Sequence, residues 1–316
     1  MTLSAIICTH DPDLKRLERV FRALASQTLP PTEWECILID NASRADIASQ
    51  FDLRWHPAGR VVREETLGLT AARLRGIAEA QGEFLIFVDD DCLLDADYLA
   101  QTAQTFREHP FLGALGGYGR AEYEMPPPAW LTPSLRHYHL DLPPPEIGND
   151  LLYAQVLGYW GPWFPIGAGL CIRRELARHY AQVVRADPVA LGFDRTGKQL
   201  AGGGDLDMGI CTMERGYAIG RSRRLRFVHV VPAFRMELEY MLRLLYMSQY
   251  TTERLLVHRG WKKPVPLADS PAWRRLKRWV GGLRRHPPED RCWQALTRGR
   301  IDGLAGAPLD SRFCGR

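Results

Sequence analysis

Residues 83–91 read Glu83-Phe84-Leu85-Ile86-Phe87-Val88-Asp89-Asp90-Asp91. A short, continuous apolar run rich in aromatic and branched residues is the signature of a strand buried on both faces. Three carboxylates follow it directly. At the end of a buried strand they cannot simply spread into solvent, and their mutual repulsion calls for a cation or for hydrogen-bond donors. A hard divalent ion such as Mn²⁺ or Mg²⁺ takes oxygen ligands and relieves that repulsion. The competing explanation is an acidic loop entering the next helix, where Asp is favoured near the N-terminus.

The same grammar extends on both sides of this stretch. Leu3–Cys8 is a second apolar run that ends at Thr9-His10-Asp11-Pro12. From Asp13, residues Leu14, Leu17, Val20, Phe21 and Leu24 recur at helical spacing until Gln27-Thr28-Leu29-Pro30-Pro31 stops the helix. Trp34–Asp40 is a strand ending in Asp40-Asn41-Ala42-Ser43, and a short strand around Val61-Val62 ends near Glu64. Helices are expected over Leu69–Ala80 and Ala96–Arg107. Alternating strands and helices predict an α/β fold with a mostly parallel central sheet and covering helices. The polar clusters at His10-Asp11, Asp40-Asn41, Glu64-Glu65 and Asp89-Asp90-Asp91 all fall at carboxyl ends of strands. Open α/β sheets bind ligands along that edge.

Later segments are less regular. Pro126-Pro127-Pro128 and Pro143-Pro144-Pro145 bracket a loop-rich region with Trp130, His137, Tyr138 and His139. A strand pair is expected around Ala168–Arg173, and helices over Glu175–Arg185 and from Asp205. Leu225–Val230 reads as a strand and Glu237–His258 as a long amphipathic helix. Leu151–Ile172 carries no charge and is long enough, at about 20 residues, to cross a bilayer as a helix. Repeated Gly and Pro break it, so a buried loop and strand near the site is the expectation. Two regions follow: residues 1–232 as the catalytic domain and 233–316 as a helical C-terminal extension.

Composition narrows the class. The chain has 316 residues, 46% hydrophobic and 25% charged, as a globular protein with a full core requires. The seven cysteines are odd in number and scattered, with no C-x-x-C pair, which argues against a disulfide framework or structural zinc and suits a reducing cytoplasm. The first residues lack a basic start and a long apolar run, so no signal peptide is expected. Neither a G-x-G-x-x-G after the first strand nor a P-loop occurs, which sets aside dehydrogenase and P-loop chemistry.

Taken together, Ile6-Ile7-Cys8-Thr9-His10, Ile37-Leu38-Ile39-Asp40-Asn41-Ala42-Ser43, Gly68-Leu69-Thr70-Ala71-Ala72-Arg73-Leu74-Arg75-Gly76 and Phe87-Val88-Asp89-Asp90-Asp91 resemble a family 2 glycosyltransferase with the GT-A fold. With Gly167-Ala168-Gly169, the Asp205 loop and His229, the likeness covers roughly residues 3 to 260. The resemblance implies a Rossmann-like GT-A architecture and a nucleotide-sugar donor, UDP-linked in most such enzymes. It implies that Asp40 contacts the nucleotide base, that Asp89 faces the ribose, and that Asp91 binds a Mn²⁺ or Mg²⁺ ion bridging the diphosphate. Thr9, Glu64, Arg73 and Asp90 are expected to line or frame the donor pocket, and His229 to add a metal ligand or serve as a structural histidine.

Gly202-Gly203-Gly204-Asp205-Leu206-Asp207 resembles the segment that carries the family's catalytic base, with Gly204 where the family usually has Glu. Asp205 is then the expected base and Asp207 the substitute. The departure keeps open a non-catalytic nucleotide-sugar binder. A sugar-phosphate nucleotidylyltransferase is the rival enzyme, but Thr9-His10-Asp11-Pro12-Asp13 is not its Gly-rich phosphate loop. Basic and tryptophan residues over 273–285 suit either an ordinary solvated face or an anionic membrane surface, where a lipid-linked or glycan acceptor would lie. A location in the cytoplasm, peripheral to the inner face of the membrane, follows from the second reading. Nucleic-acid binding is not expected, because it leaves the three aspartates unexplained.

Overall fold

The structure is a computed structural model. It describes residues 1–144, 148–159, 161–265, 286–310 and 312–313. The basic segment 273–285 lies outside the described residues. In chain order the elements are β1 (Leu3–Thr9), α1 (Leu14–Ala25), β2 (Trp34–Asn41), α2 (Ile47–Gln50), β3 (Gly59–Glu64), α3 (Leu69–Glu79), β4 (Phe84–Asp89), β5 (Cys92–Leu94) and α4 (Tyr98–Glu108). There follow β6 (Leu112–Tyr123), α5 (Pro133–His139), β7 (Leu151–Ala154), β8 (Leu170–Arg173), α6 (Arg174–Arg185), α7 (Gly204–Glu214), β9 (Ala218–Val231), α8 (Leu238–His258) and α9 (Pro288–Leu304). Packing separates two compact units. The first holds Met1–Glu122, Asp141–Leu191 and Gly204–Val230; the second holds Tyr123–Leu140, Gly192–Gly203 and the chain from Val231.

The first unit is built on a sheet of nine strands in the order β3-β2-β1-β4-β8-β6-β9-β5, with β7 on β9. The run β3-β2-β1-β4 is parallel, as the alternating pattern requires. Beyond it the sheet is mixed: β8 is antiparallel to β4 and β6, and β5 and β7 are antiparallel to β9. The long central strand β6 and the full length of β9 are not evident in the sequence pattern. The expected strand pair near Ala168–Arg173 is a single strand, β8, wedged between β4 and β6.

Burial explains why these segments are strands. All eight residues of β2 are buried, as are the first five of β4, so both strands are covered on both faces. Helix α1 covers one face with Leu17, Val20, Phe21 and Leu24 and is opened by Asp13, whose carboxylate accepts from the Arg16 N–H at 3.0 Å. Helix α3 lies so close to the sheet that a Cβ at Gly76 would overlap Ile6 Cγ2 and sit 3.6 Å from Ile39 Cγ1. That close approach sets the height at which the α3 N-terminus meets the carboxyl edge of the strands.

Near the start of β2, level with Ser4 on β1, Glu35 is a buried carboxylate. It accepts from Ser4 Oγ at 2.6 Å, from the Gln81 N–H at 2.6 Å and from Arg60 Nη1 at 2.6 Å. Burial alone would raise its pKa; the three bonds outweigh it and hold the carboxyl below its ordinary range. In the second unit, α8 and α9 pack together around buried polar pairs. Tyr246 donates to Asp302 at 3.0 Å, Arg298 to Asp302 at 2.6 Å, and Lys262 to Glu253 at 2.6 Å.

The uncharged stretch 151–172 forms β7, a loop and the start of β8, and among the described residues no helix is long and apolar enough to cross a membrane. The expectation of a buried loop needs correction for its first half. Val156, Leu157 and Tyr159 are 48%, 58% and 59% exposed. Only the second half, from Phe164, turns inward, because Pro165 and Ala168 pack against the sheet there.

Candidate active site

The parallel strands carry the polar clusters to one edge in register. Cys8 is level with Asp89, Thr9 with Asp40, and Asp40 with Arg63. Three strand spacings of about 4.8 Å make this edge roughly 14 Å long from β4 to β3. Thr9 and Asp40 are both buried. Thr9 Oγ1 donates to Asp90 Oδ2, which ties the end of β1 to the acidic triplet. Asp40 Oδ2 accepts from Arg63 Nη1 at 2.6 Å, and Asp40 Oδ1 accepts from the Ser43 N–H at 3.2 Å.

The loops above the edge are cross-linked. His10 Nδ1 lies 2.7 Å from the Asn41 carbonyl, and Asp11 accepts from the Arg44 N–H and Nε, each at 2.8 Å. The Arg44 backbone bond is the main reason the Asp11 carboxyl sits below its ordinary range. Asn41 accepts from the Gly68 N–H at 2.8 Å and donates to the Thr66 carbonyl at 2.7 Å, so it fixes the entry to α3. Glu64 accepts from the Thr66 N–H at 2.8 Å in the same turn. The Asp40–Ser43 turn holds Ala42 at φ 53°, a left-handed conformation that costs an alanine about 1–2 kcal/mol. Strain of this kind persists where surrounding contacts over-determine it, and here they surround the candidate base-binding residue.

At the other end of the edge, Asp91 turns into β5. Cys92 is directly opposite His229 across the β5–β9 ladder, so their side chains share one face. His229 Nε2 is 3.7 Å from Asp91 Oδ2, and Cys92 Sγ is 3.4 Å from Asp91 Oδ1. These three residues are buried, and their ligand atoms lie within 4.8 Å of one another. A carboxylate and an imbedded imidazole at that spacing fit a divalent ion, with further positions left for substrate oxygens. Asp89 and Asp90, by contrast, do not belong to this cluster among the described residues.

The base segment is positioned separately. Asp205, in the first turn of α7, accepts from the Gly167 N–H at 2.8 Å through Oδ2 and from the Leu206 N–H at 2.8 Å through Oδ1. A Cβ at Gly167 would lie 2.7 Å from Arg73 Nη2 and 3.5 Å from Asp205 Oδ2. Gly167 thus sits close beside both the buried Arg73 and Asp205, and a side chain there would have to displace the tip of Arg73. Arg73 also faces the Phe87 ring, 5.9 Å from its centroid. Asp207 is fully buried while Asp205 is half-buried. Two residues apart on a helix, they point about 200° away from each other.

The residues expected from the sequence, Thr9, Asp40, Glu64, Arg73, Asp89–Asp91, Asp205 and His229, all lie in the first unit. Sequence reasoning did not single out Cys92 or Arg63, and it named Gly167 only within the Gly167-Ala168-Gly169 stretch. The strand register that brings in Cys92 and Arg63 has no trace in local composition.

The family model described as Glycosyl transferase family 2 matches residues 4–179. The chain belongs to glycosyl transferase family 2. The match contains the whole parallel edge and the acidic triplet of this family 2 chain. Among curated relatives it is similar to the glycosyltransferase AglE of Haloferax volcanii, 29% identical over 106 residues, which is 33% of this chain and 34% of AglE. It is also similar to the poly(ribitol-phosphate) beta-N-acetylglucosaminyltransferase TarS of Staphylococcus aureus, 26% identical over 112 residues, or 34% of this chain and 19% of TarS. These stretches span about a third or less of the relatives' own length. Among solved structures, GalNAc-T7 with UDP, GalNAc and Mn²⁺ shares the fold, with a TM-score of 0.51 at 16% identity over 88% of this chain and 54% of that one. The GT-A architecture read from the sequence is the one present.

Proposed function

We propose that this chain is a metal-dependent, inverting glycosyltransferase that moves a sugar from a UDP-linked donor to an acceptor hydroxyl in cell-surface or extracellular glycan synthesis. The observation that carries the reading is the buried Asp91–His229 pair, with Asp91 two residues past the end of β4 and next to Asp90, which Thr9 holds. The names of AglE and TarS as transferases, and the UDP and Mn²⁺ bound by GalNAc-T7, support it.

Asp91 and His229 would hold Mn²⁺ or Mg²⁺, with Cys92 adjacent. Bound there, a divalent ion stabilises the negative charge that develops on a departing nucleoside diphosphate. Asp40 accepts an N–H of the base from the far end of the edge. Arg73 and Glu64 frame the donor between, with Asp89 and Asp90 toward the ribose. Asp205 takes the acceptor proton. Its two backbone bonds fix the carboxylate's orientation and leave one lone pair on each oxygen for the incoming hydroxyl. A carboxylate suffices as base because the proton leaves late, when the attacking oxygen has become acidic. Asp207 is buried away from that side and is the lesser candidate. Gly204 opens α7 in place of the usual Glu, so Asp205 works without a neighbouring carboxylate on its N-terminal side. A glycan or lipid-linked acceptor is the expected partner.

The test is UDP release from a panel of UDP-sugars with Mn²⁺, Mg²⁺ or EDTA, for the wild-type chain and for Asp91→Ala and His229→Ala. Release that needs the metal and falls in both variants supports the reading. Equal release in EDTA, or no release with any donor and acceptor mixture, sinks it.

A further inference from the structure

Arg63 has no part in the reading above, yet it sits at the outer end of the same row. It is level with Asp40 in the parallel register, so the two side chains share a face. Nη1 is committed to Asp40 Oδ2 at 2.6 Å and to the Ser43 carbonyl at 2.9 Å, and Nε faces Glu65 Oε1 at 3.3 Å. Among the described residues, no bond involves Nη2, and the side chain is 40% exposed. A guanidinium carries five N–H donors in a fixed plane, so the Nη2 hydrogens stand beside the Asp40 carboxylate and cannot swing far from it.

The geometry points to Arg63 as the residue that sets nucleobase specificity: it presents a donor beside the Asp40 acceptor, a pair that reads bases carrying a carbonyl next to a ring N–H. The inference rests on the nucleotide-donor reading and deepens it. Asp40 has the capacity, because a carboxylate accepts at about four lone-pair positions and the protein uses two. Uracil, thymine and guanine each place a carbonyl oxygen beside a ring N–H, and both bonds can form. Cytosine and adenine place an amino group beside an unprotonated ring nitrogen. Presented in the same orientation, they would set N–H₂ against the guanidinium and a lone pair against the carboxylate, leaving polar groups unpaired at both positions. Arg63 also clamps the Ser43 carbonyl, so the turn holding Asp40 and the donor reading the base are one rigid piece.

The experiment is calorimetric titration of the full chain with UDP, GDP, CDP and ADP in Mn²⁺, and with UMP and CMP, which carry no diphosphate. Wild type, Arg63→Met and Arg63→Lys are compared after their melting curves establish folding. UDP or GDP should bind wild type at least about tenfold more tightly than CDP and ADP, the order of discrimination one paired base contact provides. Arg63→Met should remove most of that ratio by weakening the favoured nucleotide while leaving CDP unchanged. Arg63→Lys should restore part of it. Equal binding of UDP, CDP and ADP by wild type overturns the inference while leaving the transferase reading intact. So does uniform weakening of every nucleotide in Arg63→Met, which would mean that Arg63 only braces the turn. Binding of none of them by wild type sinks both.

Discussion

Replacing Asp205 by Asn separates chemistry from architecture at this site. Asp205 accepts two backbone N–H groups, from Gly167 and Leu206, each at 2.8 Å. An amide can accept only through its oxygen, so its NH₂ must face one of those N–H groups. One bond is lost and a donor meets a donor, for a folding cost of about 2 kcal/mol. In a chain of this size that lowers the melting temperature by about 4 °C. Loss of a general base costs about 10²- to 10⁴-fold in turnover, or roughly 2.7 to 5.5 kcal/mol in the barrier. The assay is steady-state UDP release with saturating donor and acceptor, alongside calorimetric donor binding and a melting curve. Turnover should fall by that factor while donor affinity stays within about threefold, because the carboxylate's role is in the transition state. Asp207→Asn, on the opposite side of α7, should retain turnover. If Asp205→Asn keeps turnover within tenfold of wild type, or Asp207→Asn loses it instead, the base assignment is wrong.

Three further outcomes follow from the packing. Glu35→Gln should destabilise the fold by about 2 kcal/mol at pH 7, since it breaks a charged network that Arg60 leaves partly open to water. The folded Glu35 pKa is depressed. Its contribution is therefore complete above the unfolded carboxylate value near 4.3 and is lost as pH falls through the folded value, so the gap measured by urea unfolding should close below about pH 4. A gap that ignores pH would contradict this. Gly76→Val should cost about 3 kcal/mol by pushing α3 off Ile6 and Ile39, read as a lower denaturation midpoint; an unchanged midpoint would mean that α3 has room to spare. Ala42→Gly should raise stability by about 0.5 to 1 kcal/mol, because glycine occupies φ 53° without strain but enters folding with more entropy to lose. A drop in stability would show that the turn carries no strain.

The legible parts of the fold were those where composition is one-sided. β1, β2 and β4 are buried on both faces, so apolar residues fill them until the polar edge begins, apart from the paired Ser4 and Glu35 near their starts. That abrupt change marked Thr9, Asp40 and Asp89 at their true heights. β6 escaped notice because four glycines between residues 113 and 119 remove the side chains on which strand patterns depend. Leu176 and Thr212 fill the space a side chain would take at Gly113, Pro165 at Gly116, Leu225 at Gly117 and Phe227 at Gly119. Cys92 and Arg63 were silent for another reason. Each matters through the residue opposite it on another strand, His229 and Asp40, and cross-strand register is a property of the folded sheet alone. The Gly167 N–H that orients Asp205 is a backbone group, and its role belongs to geometry rather than to residue type.

The most direct measurement is a calorimetric titration of the full chain with UDP, with and without Mn²⁺, beside Asp91→Ala. Binding should be tight in Mn²⁺, at least about tenfold weaker in its absence, and equally weak in Asp91→Ala whether or not Mn²⁺ is present, as loss of a shared metal bridge requires. Binding of UDP that is indifferent to both the metal and Asp91, or no binding at all, would contradict the assignment of this strand edge as a metal-dependent nucleotide-sugar site.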